Sequence, residues 1–247
     1  MPNFAVPAVP AADLELLRRF DTPTICNVIE LFDVRPRTAG YMNGHITACF
    51  PKMPPMVGYA STATFRSAFP PRAGNVYSGL AEQLASFAEL PGPAVVVFQD
   101  LDVPCCAATF GEVMASSYKA FGAAGLITSG AGRDLDQVEA IGFPCFTNGT
   151  ICSHGDCHIV QIGVPIHVGG IAVHPGELLH GDRNGVTTIP YAIASAVAQA
   201  CPEFMAAEAV VLDYVRGEKV DVKGFAAAHK ECRARIDALA KKVRGSR

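Results

Sequence analysis

Residues 94–134 read AVVVFQDLDVPCCAATFGEVMASSYKAFGAAGLITSGAGRD, and their reading decides the fold. The run AVVVF at 94–98 is apolar and rich in β-branched residues, which predicts a strand covered on both faces. Gly111-Glu112 opens a helix over 113–121, a Gly/Ala turn follows, and GLIT at 125–128 predicts a second short strand. Strand, helix and strand in that order make a βαβ unit with parallel strands. The stretch closes on a glycine-rich loop that presents Arg133 and Asp134 side by side.

Working outward, Pro2, Pro7 and Pro10 predict an extended arm over 1–11. Asp13 is the expected cap of a helix ending near Phe20. Asp21-Thr22-Pro23-Thr24 is a strong helix start, a capping residue with proline in the first turn, followed by Ile25, Val28, Ile29 and Phe32. Residues 35–55, rich in Pro and Gly, read as a surface excursion without an assigned role. A strand is expected over 58–65, a helix over 79–89, a helical turn or two over 136–141, and another short strand over 143–146. Beyond Val160 the style changes to short strands cut by Gly and Pro: 166–171, 172–176, 178–182 and 185–190. That spacing predicts an antiparallel or barrel-like section packed on the βαβ part. From Tyr191 the pattern is helical, with a pause at Cys201-Pro202 and a break at Gly217.

With 50% hydrophobic and only 17% charged residues, the chain can build a large core and still have apolar surface for contacts between subunits. A net charge of -3 provides no basic field for nucleic acid or acidic membranes, so neither is an expected partner. The basic run from Lys241 to Arg247 reads as a solvated helix end. The first residues carry no basic segment and are interrupted by proline, so no secretory signal is expected, and no apolar run has the length to span a bilayer. The nine cysteines, an odd number scattered mostly in apolar contexts, read as reduced, buried small hydrophobes of a cytoplasmic protein. No repeat or linker divides the chain. One domain over 1–247 is expected, with a core over about 20–190 and a helical extension over 191–247.

Glu112, Arg133 and Asp134 carry the chemistry that the residues suggest. Arg133 can clamp a carboxylate through two parallel hydrogen bonds and neutralise a developing enolate. Asp134 offers hard oxygen to a divalent cation that keeps several waters, the habit of Mg²⁺ and Mn²⁺. Glu112 can hold a water as a proton shuttle. The backbone N–H groups of Val113 and Met114, in the first turn of the same helix, suit an anionic oxygen. A surface ion pair beside an acidic helix start explains the same residues, and composition alone leans towards that plainer reading.

Cys152-Ser-His154-Gly-Asp156-Cys157-His158 is the other dense cluster. Its spacing fits no structural zinc pattern and it has no second CxxC pair, so it reads as a polar loop, with His154 and Asp156 near the active site. Gly130-Ala-Gly132 lacks the rest of a dinucleotide fingerprint or a P-loop. His45, His167, His174 and His180 read as structural.

Gly111-Glu112, twenty intervening residues (113–132), and Arg133-Asp134 resemble the active-site signature of the 4-hydroxy-4-methyl-2-oxoglutarate aldolase / RraA-like family. GFPCF at 142–146, VPIHVGG at 164–170, VHPGE at 173–177 and GDRNGV at 181–186 match the same pattern. The resemblance covers about 20–190. It implies an α/β fold, an RraA-like β/β/α swivelling-type domain with terminal helices, assembled as a homotrimer or homohexamer. It further implies a metal-dependent aldolase/decarboxylase, a class II carbon–carbon lyase that cleaves a 4-hydroxy-2-oxo acid to pyruvate and decarboxylates oxaloacetate. In such enzymes the residue matching Asp134 holds Mg²⁺ or Mn²⁺. The match of Arg133 binds substrate and stabilises the enolate, the match of Glu112 orients the protonating water, and amides matching Val113 and Met114 receive the pyruvyl group. Asn27 and Glu177 depart from the acid and the Asp usual in the family, and the His154 loop and residues 35–55 are not general family features. The alternative is a non-catalytic RraA-like regulator that binds a ribonuclease or another protein. In the family such regulators lack the metal-binding Asp, which this chain keeps.

Overall fold

β2 (Met56–Arg66), an eleven-residue strand buried from Met56 to Phe65, is the spine of the fold. The computed structural model describes residues 7–245. Before the spine come α1 (Ala11–Leu17), α2 (Thr22–Leu31) and the two-residue β1 (Thr47–Ala48). After it follow α3 (Leu80–Ser86), β3 (Ala94–Asp100), β4 (Ala108–Phe110), α4 (Glu112–Ala120), β5 (Gly125–Thr128), β6 (Ala131–Gly132), α5 (Leu135–Ala140) and β7 (Cys145–Thr147). The second half holds β8 (His158–Ile162), β9 (Ile166–Val168), β10 (Ile171–Val173), β11 (Leu178–Asp182), β12 (Gly185–Ile189), α6 (Ala194–Arg216) and α7 (Val222–Gly245).

The main sheet runs β1-β7-β5-β3-β2-β11-β12. Its centre, β2, β3, β5 and β7, is parallel, as the βαβ pattern predicts. One side of β2 pairs with β3. The other is shared by two antiparallel strands, β11 against residues 56–59 and β8 against residues 63–66. That sharing closes the sheet towards a barrel and leaves little of the spine unpaired. β11 and β12 form an antiparallel hairpin, and so do β9 and β10.

β3 is covered on both faces because its alternate residues enter different cores. Val96 and Phe98 pack with Phe65, Phe110, Met114 and Tyr118. Val95 and Val97 pack with Met56, Ile127, Phe146 and Leu179. A third core unites α1, α2 and α6 through Leu17, Ile25, Ile29, Val197 and Phe204. At about 25 cal/mol per Å² of apolar surface removed from water, a strand buried on both faces is worth more per residue than a half-exposed one.

The structure corrects several expectations. Of the extended arm expected over 1–11, residues 1–6 lie outside the described residues, as do residues 246 and 247 of the basic run. Helix α1 starts at Ala11 behind Pro10, which places Asp13 in the first turn and not at the cap. Asp21 does cap α2, accepting the N–H of Thr24 at 2.9 Å. Residues 35–55 are no mere surface excursion: Met42, Ile46 and Phe50 are buried, and β1 pairs with β7. The Arg35 guanidinium also donates to the Thr188 carbonyl and hydroxyl. The run 166–171 is a hairpin, because Gly169 and Gly170 both adopt positive φ between β9 and β10. Pro202 does not interrupt α6, whose Ala198, Cys201 and Phe204 are buried on the α1–α2 core. That packing offsets the one backbone hydrogen bond that proline cannot donate. Finally, Cys106 and Cys152 are exposed, whereas Cys145, Cys157, Cys201 and Cys232 are buried, all as free thiols.

Candidate functional site

A short parallel ladder that sequence reasoning missed assembles the site. β4 pairs with β6, Ala108 opposite Ala131 and Phe110 opposite Gly132. The Arg133 N–H donates to the Phe110 carbonyl at 3.0 Å, which extends that ladder by one bond. The consequence is that Gly111-Glu112, leaving β4, comes to lie beside Arg133-Asp134, leaving β6. Gly132 permits the approach, since a Cβ there would lie 2.6 Å from the Phe110 ring. The pair sits on the loop that leaves the carboxyl end of β5, next to the carboxyl end of β3. In parallel sheets that edge is where ligands bind.

Three contacts define the geometry. The Asp134 carboxylate accepts the Glu112 N–H at 3.0 Å. The same oxygen lies 3.8 Å from Arg133 Nε. Arg133 Nη2 lies 3.5 Å from the Tyr77 hydroxyl. Asp134 occupies the N-cap of α5 with φ 53°, in the left-handed region, yet its side chain makes no cap bond to that helix. The carboxylate is therefore turned away from its own helix and towards the start of α4. Gly111 makes room for it, because a Cβ at Gly111 would lie 2.5 Å from Asp134 Oδ2 and 3.0 Å from Arg133 Nε. Arg133 and Asp134 side chains are 28% and 35% exposed, so the pair is half-buried and open to a ligand.

Of the residues expected to contribute, Glu112, Val113 and Met114 form the first turn of α4, where N–H groups have no carbonyl a turn behind them. Val113 is exposed and Met114 is buried in the core beneath. Hence the ladder brings Glu112, Arg133 and Asp134 together at one point, with the α4 N-terminus directed at it. Among the described residues, no three His, Cys, Asp or Glu side chains gather into a metal cage. The Cys152–His158 cluster does not converge on one point: His154 Nδ1 is bonded to the Gly155 carbonyl and His158 Nδ1 to the Asp156 carbonyl. His154 does lie near the site, its ring centroid 5.7 Å from that of Tyr77.

Asp100, at the end of β3, supports the loop from below. Its N–H donates to Ser129 Oγ, and its Oδ1 accepts the Asp102 N–H. Burial pushes its carboxyl up to about 6, while its Oδ2 has no hydrogen-bond partner among the described residues. His180 is fully buried and structural, bonded to Thr22 Oγ1 and the Leu17 carbonyl.

The RraA-like family profile, described as Aldolase/RraA, matches residues 22–188. The chain belongs to the RraA-like family. Within it, a protein of Halalkalibacterium halodurans provisionally named 4-hydroxy-4-methyl-2-oxoglutarate aldolase is 38% identical over 124 residues, covering 49% of this chain and 58% of that relative. A protein of Ectopseudomonas mendocina with the same provisional name is 28% identical over 107 residues, covering 43% and 66%. The chain thus spans less than two thirds of either relative. An uncharacterized protein of Pseudomonas syringae pv. tomato shares the RraA-like fold with a TM-score of 0.72 at 19% identity, covering 92% of this chain and 97% of its own. Streptomyces coelicolor RraAS2, an unusual member of the RNase ES inhibitor RraA protein family, has a TM-score of 0.65 at 24% identity, covering 81% and 96%. Among the described residues no helix is long and apolar enough to cross a membrane.

Proposed function

We propose that this RraA-like chain is a divalent-metal-dependent lyase that cleaves a 4-hydroxy-2-oxo acid to release pyruvate and decarboxylates oxaloacetate at the same site. The observation that carries the reading is the Asp134 carboxylate, kept beside Arg133 and turned from its own helix towards the Glu112 amide. A structural acid at that position would cap α5.

The residues fit a cation of the Mg²⁺ or Mn²⁺ kind. Asp134 supplies one hard oxygen ligand group in the cradle that Gly111 leaves open, and such ions keep several waters and take further oxygens from substrate. Asp134 would hold the ion, which when bound supplies Lewis-acid polarisation of the 2-oxo carbonyl. The remaining work falls to the chain itself. Arg133 binds the oxo acid and offsets the negative charge that grows on the enolate, a contribution commonly worth about 10² to 10³ in kcat per donor. The first-turn amides of Val113 and Met114 face the pyruvyl oxygens. Glu112 orients the water that protonates the enolate carbon.

Assembly as a homotrimer or homohexamer belongs to the same reading. Val113 and Phe121, at the two ends of α4, are 71% and 65% exposed, and a neighbouring subunit would cover them. A cytoplasmic setting accords with nine free thiols. The test is pyruvate release from 4-hydroxy-2-oxo acids with Mg²⁺, Mn²⁺ or EDTA. Release that needs the metal supports the reading. No release under any condition, together with a stable complex with a ribonuclease, would favour a regulator like the family to which RraAS2 belongs.

A further inference from the structure

Among the described residues only Asp33, Tyr77 and Asp134 combine a side chain with positive φ. Two of the three flank Arg133. For a bulky aromatic, φ of 69° is costly, and such conformations persist where the surrounding structure imposes them, often at functional sites. The Tyr77 N–H is tied to the Cys157 carbonyl at 2.9 Å, which fixes the segment against the start of β8. Its phenol reaches Arg133 Nη2 at 3.5 Å, and its ring lies 5.7 Å from the His154 ring. Tyr77 therefore spans the gap from guanidinium to imidazole, and His154 stands one aromatic ring beyond the group assigned to the oxo-acid end.

Hydrogen-bond direction says what the two side chains can offer. A guanidinium only donates, so the Tyr77 oxygen accepts from Arg133 and keeps its own proton for another acceptor. The Cys157 thiol is within reach of that phenol, but burial pushes the thiol up, so it stays protonated and accepts weakly. His154 Nδ1 sits 2.7 Å from the Gly155 carbonyl, which only accepts, so Nδ1 carries the ring proton. In the neutral ring it is then Nε2 that carries the lone pair, and Nε2 has no protein partner among the described residues. A hydroxyl donor and an imidazole acceptor carried on neighbouring rings, 5.7 Å between centroids, are the complement of an alcohol.

We propose that His154 Nε2 is the base that takes the proton of the substrate's C4 hydroxyl, while Tyr77 donates to the same oxygen. This rests on the lyase reading of the site. As the proton moves to Nε2, the O–H electron pair closes C4 to a carbonyl and the C3–C4 bond breaks. Its electrons pass into the enolate that faces Arg133. The enolate then takes a proton at C3 from the water held by Glu112, and His154 returns its proton to solvent. The preferred substrates are accordingly oxo acids with a free hydroxyl at C4.

Oxaloacetate isolates the claim, because its decarboxylation reaches the same enolate with no hydroxyl to deprotonate. His154→Gln should lower kcat for cleavage of 4-hydroxy-4-methyl-2-oxoglutarate by about 10² or more, the usual range for a general base. Oxaloacetate decarboxylation should stay within about threefold of wild type, and the affinity for pyruvate measured by calorimetry should be unchanged. Tyr77→Phe keeps the ring but takes the phenol oxygen from Arg133, so it should lower both reactions, and cleavage by more than decarboxylation. If His154→Gln lowers both reactions together or leaves both intact, the assignment is overturned while the lyase reading stands. A wild-type protein inert towards both substrates removes the lyase reading and this inference with it.

Discussion

The backbone N–H of Glu112 donates to the Asp134 carboxylate at 3.0 Å, so the residue assigned to the cation and the residue assigned to the proton-delivering water share one hydrogen bond. Moving either displaces the other. Gly111 is where that coupling is most exposed, since a Cβ there would lie 2.5 Å from the shared oxygen. Gly111→Ala should lower pyruvate release by at least about tenfold, because displacement of about an ångström from productive geometry is costly. Circular dichroism and Tm should stay close to wild type. Full activity in a folded Gly111→Ala protein would show that the carboxylate can work elsewhere.

Asp100 gives the protein a pH-dependent internal charge. Its folded-state carboxyl, raised from 3.8 to about 6 by burial, binds a proton that the unfolded chain has already lost between those values. Its contribution to stability is thus greatest near pH 4 and is lost as pH rises through 6, by at most about 3 kcal/mol. Asp100→Asn removes the charge, so the variant should be more stable than wild type above pH 6 by a margin that closes towards pH 4. Denaturant unfolding of both proteins across that range reads it directly. Comparing the two proteins cancels the effect of His180, which works in the other direction.

Burial holds His180 below its usual range, so the folded chain keeps it neutral and loses stability as pH falls through about 6.5, where the unfolded histidine takes up a proton. Its Nε2 faces the Leu17 carbonyl at 3.1 Å and must carry the proton, and Nδ1 then accepts from the Thr22 hydroxyl at 2.9 Å. Thr22→Val keeps the shape and strands Nδ1. It should cost about 1 to 3 kcal/mol in unfolding free energy, with metal-dependent activity of the folded protein unaffected.

Much of this was legible in the sequence. The unmixed AVVVF run, the helix after Gly111 and the GLIT strand are where expected, because packing on both faces and helix periodicity both leave a pattern. Glu112, Arg133 and Asp134 stood out as charges at element boundaries. What was not legible lacked a pattern to read. The β4–β6 ladder, which brings these charges together, is three residues against two, too short for any periodicity. Residues 35–55 hide Met42, Ile46 and Phe50 among turn-forming residues, so their burial depends on partners remote in the chain. Tyr77 gave no hint of positive φ, because an aromatic side chain does not favour it. Pro202 looks like a pause in the sequence because proline's local propensity opposes a helix, whereas the core that α6 joins holds the helix through it.

The central claim is that Asp134 and Arg133 together make a metal-dependent oxo-acid lyase. The most direct measurement is pyruvate released from oxaloacetate, with saturating Mn²⁺, by wild type, Asp134→Ala and Arg133→Ala at matched, verified folding. The expected result is turnover by wild type that EDTA abolishes, no metal-dependent turnover in Asp134→Ala, and a fall in kcat/KM of about 10² or more in Arg133→Ala. Asp134→Ala or Arg133→Ala turning over oxaloacetate at the wild-type rate would contradict the account.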